Sequence, residues 1–154
     1  MIKLKPLIVS ILIPLAVGGL AALLTMGQMD IYQTLTRPPL SPPSILFPIV
    51  WGILYLLMGI SSYFIYISNS HIKKSALTLY AVQLVVNFIW PILFFNVQNY
   101  LFSFIWLVLL WILVLFMVIL FYKIKPLAGV LQIPYLVWIT FAGYLNLAIY
   151  LLNR

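Results

Sequence analysis

Gln83, Asn87 and Trp90 recur at i, i+4 and i+7, the spacing that puts side chains on one face of an α-helix. Trp51, Tyr55 and Met58 repeat the pattern, as do Trp138, Ala142 and Leu145, with Asn146 beside them. Amides, phenols and indoles on such faces hydrogen-bond and stack, but they do not cleave or transfer groups by conventional means. The groups that would do so are scarce. Asp30 is the single acid, His71 the single histidine, and there is no cysteine. Paired carboxylates, a catalytic triad and a histidine or thiolate metal cluster therefore cannot be assembled within one chain. An uncharged aromatic surface with a few amides suits a large, flat, mostly apolar ligand. It does not suit an ion.

The elements that must carry these faces are legible in the composition. The chain has 154 residues, of which 66% are hydrophobic and only 6% charged, with a mean hydropathy of +1.23. A soluble domain is about one-quarter charged, so a soluble fold, a disordered tail and a nucleic-acid module are excluded. The net charge of +7 does not restore the last, because eight scattered cations make no basic patch. Charge is absent between Lys5 and Asp30, Arg37 and Lys73, Lys74 and Lys123, and Lys125 and Arg154. A membrane-crossing helix needs about 20 apolar residues. The third stretch is about twice that length and is broken by Asn96-Val97-Gln98-Asn99, which reads as a tight turn. The expectation is an all-α, polytopic membrane protein: one five-helix domain over 1–154, with spans near 6–26, 44–67, 75–95, 100–122 and 127–151.

Lys3, Lys5, Lys73, Lys74, Lys123 and Lys125 fall at one end of that bundle, and Arg37 and Arg154 at the other. The positive-inside rule puts the lysine end and the N-terminus in the cytoplasm and the C-terminus outside. The first apolar run is longer than a usual signal-peptide core and reads as a span. No internal repeat is visible. The loop 27–43 holds Pro38, Pro39, Pro42 and Pro43, which stiffen it and suggest a lid. Arg37 is the cation that this lid offers to an anionic substituent on a ligand. Pro91 and Pro134 are expected to kink their helices.

Plainer roles compete. Amides in membrane helices serve as interhelical glue worth about 0.6–2 kcal/mol, a reading open to Gln83, Gln132, Asn87 and Asn146. Trp106 and Trp111 read as interfacial belt residues, and the fourth span as the most structural of the five. Gly18-Gly19 suggests close helix packing. Gly18 with Ala22, and Ala76 with Ala81, are candidate dimer faces.

The residues also resemble a known family. Tyr32-Gln-Thr-Leu35-Thr-Arg37-Pro38-x-x-x-Pro42-Pro43, Trp51-Gly52-x-x-Tyr55-x-x-Met58-Gly59, Gln83-x-x-x-Asn87-x-x-Trp90-Pro91 and Pro134-Tyr135-x-x-Trp138-x-x-Phe141-Ala142-x-x-Leu145-Asn146 follow in order along the chain. Together they resemble the translocator protein family, also called tryptophan-rich sensory proteins or peripheral-type benzodiazepine receptors. Ile31 and Leu40 stand where that family often has tryptophan, and the fourth span matches only in hydrophobicity. The resemblance implies a homodimeric membrane receptor, here a bacterial one, that binds porphyrins such as protoporphyrin IX, and isoquinoline or benzodiazepine-type ligands. Sterol binding is associated mainly with mitochondrial members. A loose cholesterol-recognition pattern, Leu147-x-x-Tyr150-x-x-x-Arg154, can be read at the C-terminus. Carried over, the ligand-binding set is Tyr32, Pro42, Trp51, Tyr55, Asn87, Trp90, Trp138, Ala142 and Leu145. Trp51 and Trp138 would be the redox-active pair in a light-dependent breakdown of protoporphyrin. No metal and no separate cofactor is expected, the porphyrin being ligand or substrate.

Three functions follow as expectations: a porphyrin receptor or sensor, a photo-oxidative enzyme in which the porphyrin is its own photosensitiser, and a carrier of lipophilic ligands. Ion-coupled transport is disfavoured because the spans hold no ionisable acid or base of the kind it uses.

Overall fold

A computed structural model describes residues 2–154, and among them every regular element is helical. Helix α1 (Leu4–Thr25) runs through a short 3-10 turn, Met26–Gln28, into the loop that carries the single-turn α2 (Ile31–Thr34). Then come α3 (Leu46–Tyr66), α4 (Lys73–Pro91), α5 (Tyr100–Ile124), α6 (Pro126–Leu131) and α7 (Ile133–Asn153). Five segments are long and apolar enough to cross a membrane: Leu4–Gln28, Leu46–Tyr66, Lys73–Asn96, Tyr100–Ile124 and Pro126–Asn153.

Two prolines act differently from expectation. Pro91 does not kink the middle of its helix. It ends α4, and the chain relaxes into a π-helical turn, Ile92–Asn96. Gln98 then takes a left-handed backbone with φ 59°, and the Asn99 side chain caps α5 by accepting from the Phe102 N–H at 3.0 Å. Pro134 lies in the first turn of α7, where its missing N–H costs no helical bond. The fifth span is thus split at Gln132 into α6 and α7 rather than bent.

Packing explains which side of each uniformly apolar helix turns inward. On α5, Leu107, Leu110, Val114, Met117 and Phe121 are all buried. Their alternating spacing of three and four is the seam a helix presents to partners on two sides. Helix α5 packs on α4, α6 and α7, while α1 packs chiefly on α3. That last interface depends on Gly59. A Cβ there would lie 2.5 Å from the Ile11 Cα and 2.8 Å from the Ser10 carbonyl. Pro14, inside α1, cannot donate to the Ser10 carbonyl, so α3 closes on a turn whose backbone is already irregular.

Because backbone cannot move aside as a side chain can, Gly59→Val should destabilise the protein by about 1–3 kcal/mol. Gly143→Ala, which meets nothing within 4 Å, should be neutral or stabilising by up to about 1 kcal/mol. Thermal unfolding of both variants in detergent micelles checks the pair.

Candidate functional site

At the end of the bundle away from the lysines, α1, α3, α4, α5 and α7 enclose a cavity of about 380 Å³ under the 27–43 loop. Helix α1 contributes Gly18, Gly19 and Ala22, which keep that wall thin. Gly18 has a specific reason: the Tyr55 ring occupies the space its Cβ would need. Trp51 stacks on Tyr55 with centroids 5.6 Å apart and meets Tyr135 edge-on at 6.2 Å. Across from them, Phe47 packs edge-on against Tyr32 at 5.1 Å and Trp138 at 5.9 Å. Trp90 lies 5.2 Å from Phe94. Leu107 and Leu110 bring α5 into the wall as well, so the fourth span is not purely structural.

A file of hydrogen bonds runs along one side of the cavity. The Tyr55 hydroxyl donates to Asn87 Oδ1 at 2.8 Å, Asn87 Nδ2 donates to the Tyr135 hydroxyl at 2.7 Å, and that hydroxyl donates to Gln83 Oε1 at 2.7 Å. A second pair closes nearby: Trp90 Nε1 donates to Asn146 Oδ1 at 3.0 Å, and Asn146 Nδ2 to the Tyr100 carbonyl at 2.8 Å. Asn87 and Asn146 are thus engaged at both ends with the protein itself, whereas Gln83 Nε2 and both polar side-chain atoms of Gln132 are buried without a partner among the described residues. Asn87 borders the cavity, but both its polar ends are taken. The indole N–H groups of Trp51 and Trp138 have no partner among the described residues, and that of Trp138 is fully buried. No cluster of His, Asp or Glu able to hold a metal occurs among the described residues.

The loop is fastened at several points. Inside it, the Tyr32 hydroxyl donates to the Pro42 carbonyl at 2.9 Å and Gln33 Nε2 to Ser44 Oγ at 2.8 Å. Onto α7 it is held by the Tyr144 hydroxyl, which donates to the Pro39 carbonyl at 2.8 Å. Asn153 completes the fastening: its Oδ1 accepts from the Thr36 N–H at 2.9 Å and its Nδ2 donates to the Thr36 carbonyl at 2.8 Å. The Arg37 guanidinium lies over the Tyr32 ring, 4.7 Å from its centroid.

Of the residues singled out by sequence, Tyr32, Trp51, Tyr55, Asn87, Trp90, Trp138, Ala142 and Leu145 all border the cavity. Pro42 does not. It lies one layer out, holding Tyr32 through its carbonyl. Trp106 and Trp111 are not simply belt residues: their N–H groups donate to the Val86 carbonyl and to Thr140 Oγ1, each at 2.8 Å, tying α5 to α4 and α7. Of the two stripes of small residues, Gly18 and Ala22 border the cavity with Ala22 also exposed, while Ala76 is fully buried and Ala81 exposed. Phe47 and Tyr135 were missed as site residues. Tyr135 stands three positions before Trp138 on the same helix face, and a phenol in the middle of an apolar helix needs a partner, a signal that could have found it.

Replacing Asn87 with Leu leaves the Tyr55 hydroxyl without its acceptor and the Tyr135 hydroxyl without its donor, so it should destabilise by about 1–3 kcal/mol. In Tyr55→Phe/Asn87→Leu the losses should fall short of additive, as read from melting in detergent. Asn153→Ala should leave overall stability nearly unchanged but raise amide hydrogen exchange across residues 35–44 several-fold.

Comparison with known proteins agrees with this arrangement. The model of the TspO/MBR family matches residues 10–152. A tryptophan-rich protein TspO from Archaeoglobus fulgidus is 36% identical over 148 residues, 96% of either chain. Protein CrtK of Rhodobacter capsulatus is 34% identical over 88% of this chain and 85% of its own, and the translocator protein of Bos taurus 36% identical over 88% and 82%. With five apolar spans around one aromatic cavity and a family match over nearly its whole length, the chain is a multi-pass membrane protein that belongs to the TspO/MBR family.

Proposed function

We propose that the cavity is a receptor site for porphyrins, protoporphyrin IX among them, and for isoquinoline and benzodiazepine-type ligands. The observation that carries this reading is the wall itself: aromatic on several sides, without charge, and with its two amides, Asn87 and Asn146, engaged by the protein. A flat aromatic ligand gains stacking and apolar burial there. The Trp51 and Trp138 indoles would stand against a porphyrin that absorbs light. In the light-dependent breakdown we propose, the porphyrin is the photosensitiser, dissolved dioxygen is the oxidant that is reduced as the ring is oxidised, and the protein contributes position and indoles that relay electrons without net change.

The wider setting belongs to the same proposal. The receptor lies in a bacterial cell membrane with its lysine end and N-terminus inside, works as a homodimer, and meets membrane lipid, including sterol where sterol is present. A second reading, carriage of the ligand across the membrane, is favoured by the name translocator protein borne by the bovine relative.

The test is a protoporphyrin IX titration of purified protein, first in the dark and then under light, with product spectra recorded. Trp138→Phe should weaken dark binding by about 2–10-fold, through the ring area lost from the cavity wall. At saturating porphyrin, a defined photoproduct should form with the unaltered protein and disappear in Trp51→Phe and Trp138→Phe, whereas Trp111→Phe should retain it. Bleaching identical to that of free dye would remove the photochemical part, and the absence of saturable dark binding would remove the receptor. Porphyrin flux into liposomes that carry the protein, without loss of porphyrin, would favour the carrier.

A further inference from the structure

On the lysine side of the hydrogen-bonded file, a second group of polar side chains lies deep in the bundle. The Tyr80 hydroxyl, Gln83 Nε2, and Nε2 and Oε1 of Gln132 are buried and have no partner among the described residues. Gln83 and Gln132 are completely buried, and Tyr80 is 7% exposed. None of the three borders the aromatic cavity. Lipid cannot relieve such groups, and a buried amide left unpaired forfeits the hydrogen bonds it would make in water.

The three side chains converge. Tyr135 accepts from Asn87 and gives its own proton to Gln83 Oε1, so the direction of the file fixes the Gln83 amide and turns Nε2 away from that contact. Tyr80 stands three residues before Gln83 on α4, and Gln132 three residues before Tyr135 where α6 meets α7. Helical spacing puts each on the same face as its neighbour, one turn nearer the lysine end. The Gln83 amide, held at Tyr135, is therefore flanked by both. Small side chains occupy this level. Ser61 Oγ donates to the carbonyl of Ala128, one turn from Gln132, at 2.7 Å, and Ala76 lies one turn from Tyr80; all three are fully buried. No charged side chain is buried among the described residues.

We infer that Tyr80, Gln83 and Gln132 enclose an internal water site, separate from the cavity, that carries the file on from Gln83 to the junction of α6 and α7. The groups themselves define the ligand. It must accept from the Gln83 and Gln132 N–H groups, donate to Gln132 Oε1, and share a bond with a phenol. It must also be uncharged and small. Water meets each requirement, and an internal water makes about three bonds to groups that would otherwise be unpaired. An ion would find no counter-charge, and an apolar molecule would leave all the unpaired atoms as they are. The site ties the break at Gln132 to α4, and it stands whether or not the cavity takes a porphyrin.

The experiment is solid-state NMR of the isotope-labelled full chain in phosphatidylcholine bilayers, with magnetisation passed from water protons to amide groups. Transfer to the Gln83 and Gln132 side-chain amides should be several-fold faster than to the backbone N–H groups of Val114 and Met117, which are equally buried. In Gln132→Met, similar in volume, transfer to Gln83 should fall several-fold and the melting temperature should drop. Tyr80→Phe should lower melting in the unaltered chain but add little in Gln132→Met, because the two share the bridge. Transfer to neither glutamine would overturn the site. So would a raised melting temperature in Gln132→Met, since removing merely unpaired groups relieves the protein of their desolvation. Should Gln132→Met fail to fold, transfer in the unaltered chain decides alone.

Discussion

Lipid offers no hydrogen bonds, so a polar group placed inside this bundle must find its partner inside it. The file from Tyr55 through Asn87 and Tyr135 to Gln83 Oε1 meets that demand for two phenols and an amide, leaving Gln83 Nε2 unpaired at its end, and the remainder of the site depends on it. It links α3, α4 and α7, helices that apolar packing alone would let rotate against one another. It presents Tyr55 as the platform for Trp51 and engages both ends of Asn87, the amide it shares with the cavity wall. A change at Asn87 is consequently felt on three helices.

Holding a void of this size open has a stability cost, because wall atoms lose dispersion contacts on one side. The protein meets it with rigid rings that brace one another: Tyr32 on Phe47, Phe47 on Trp138, Trp51 on Tyr55. Flat side chains with few rotatable bonds resist collapse at little entropic cost. Small residues serve the opposite end of the same problem, with Gly59 bringing α1 tightly against α3 and Gly18 yielding room to Tyr55.

The spans, and the collection of Trp51, Asn87, Trp90 and Trp138 at one end, were legible in sequence because charge marks helix ends and helical spacing marks faces. What stayed hidden follows from the uniformity of apolar sequence. Leu107 faces inward and Val108 outward on α5, and nothing in two aliphatic residues distinguishes those fates when lipid and core are equally apolar. The direction of the amides was hidden for a related reason: spacing places Asn87 on a face, but only the approach of Tyr55 and Tyr135 reveals that both its ends are engaged. Pro134 showed a disruption without showing its form, since a proline can bend a helix or begin one. The loop prolines indicated a stiff cover, while Asn153, far along the chain, gave no sign that it fastens that cover at Thr36.

That fastening joins an early segment to a late one. The loop emerges from the ribosome behind α1, and the anchors Tyr144 and Asn153 belong to α7, so the loop waits while the intervening helices are made and inserted. During that interval the aromatic walls from α3 and α4 exist without their roof, and the chamber is sealed only as the last helix arrives. Assembly thus ends with closure, and the nascent protein passes through its most open form once, inside the membrane.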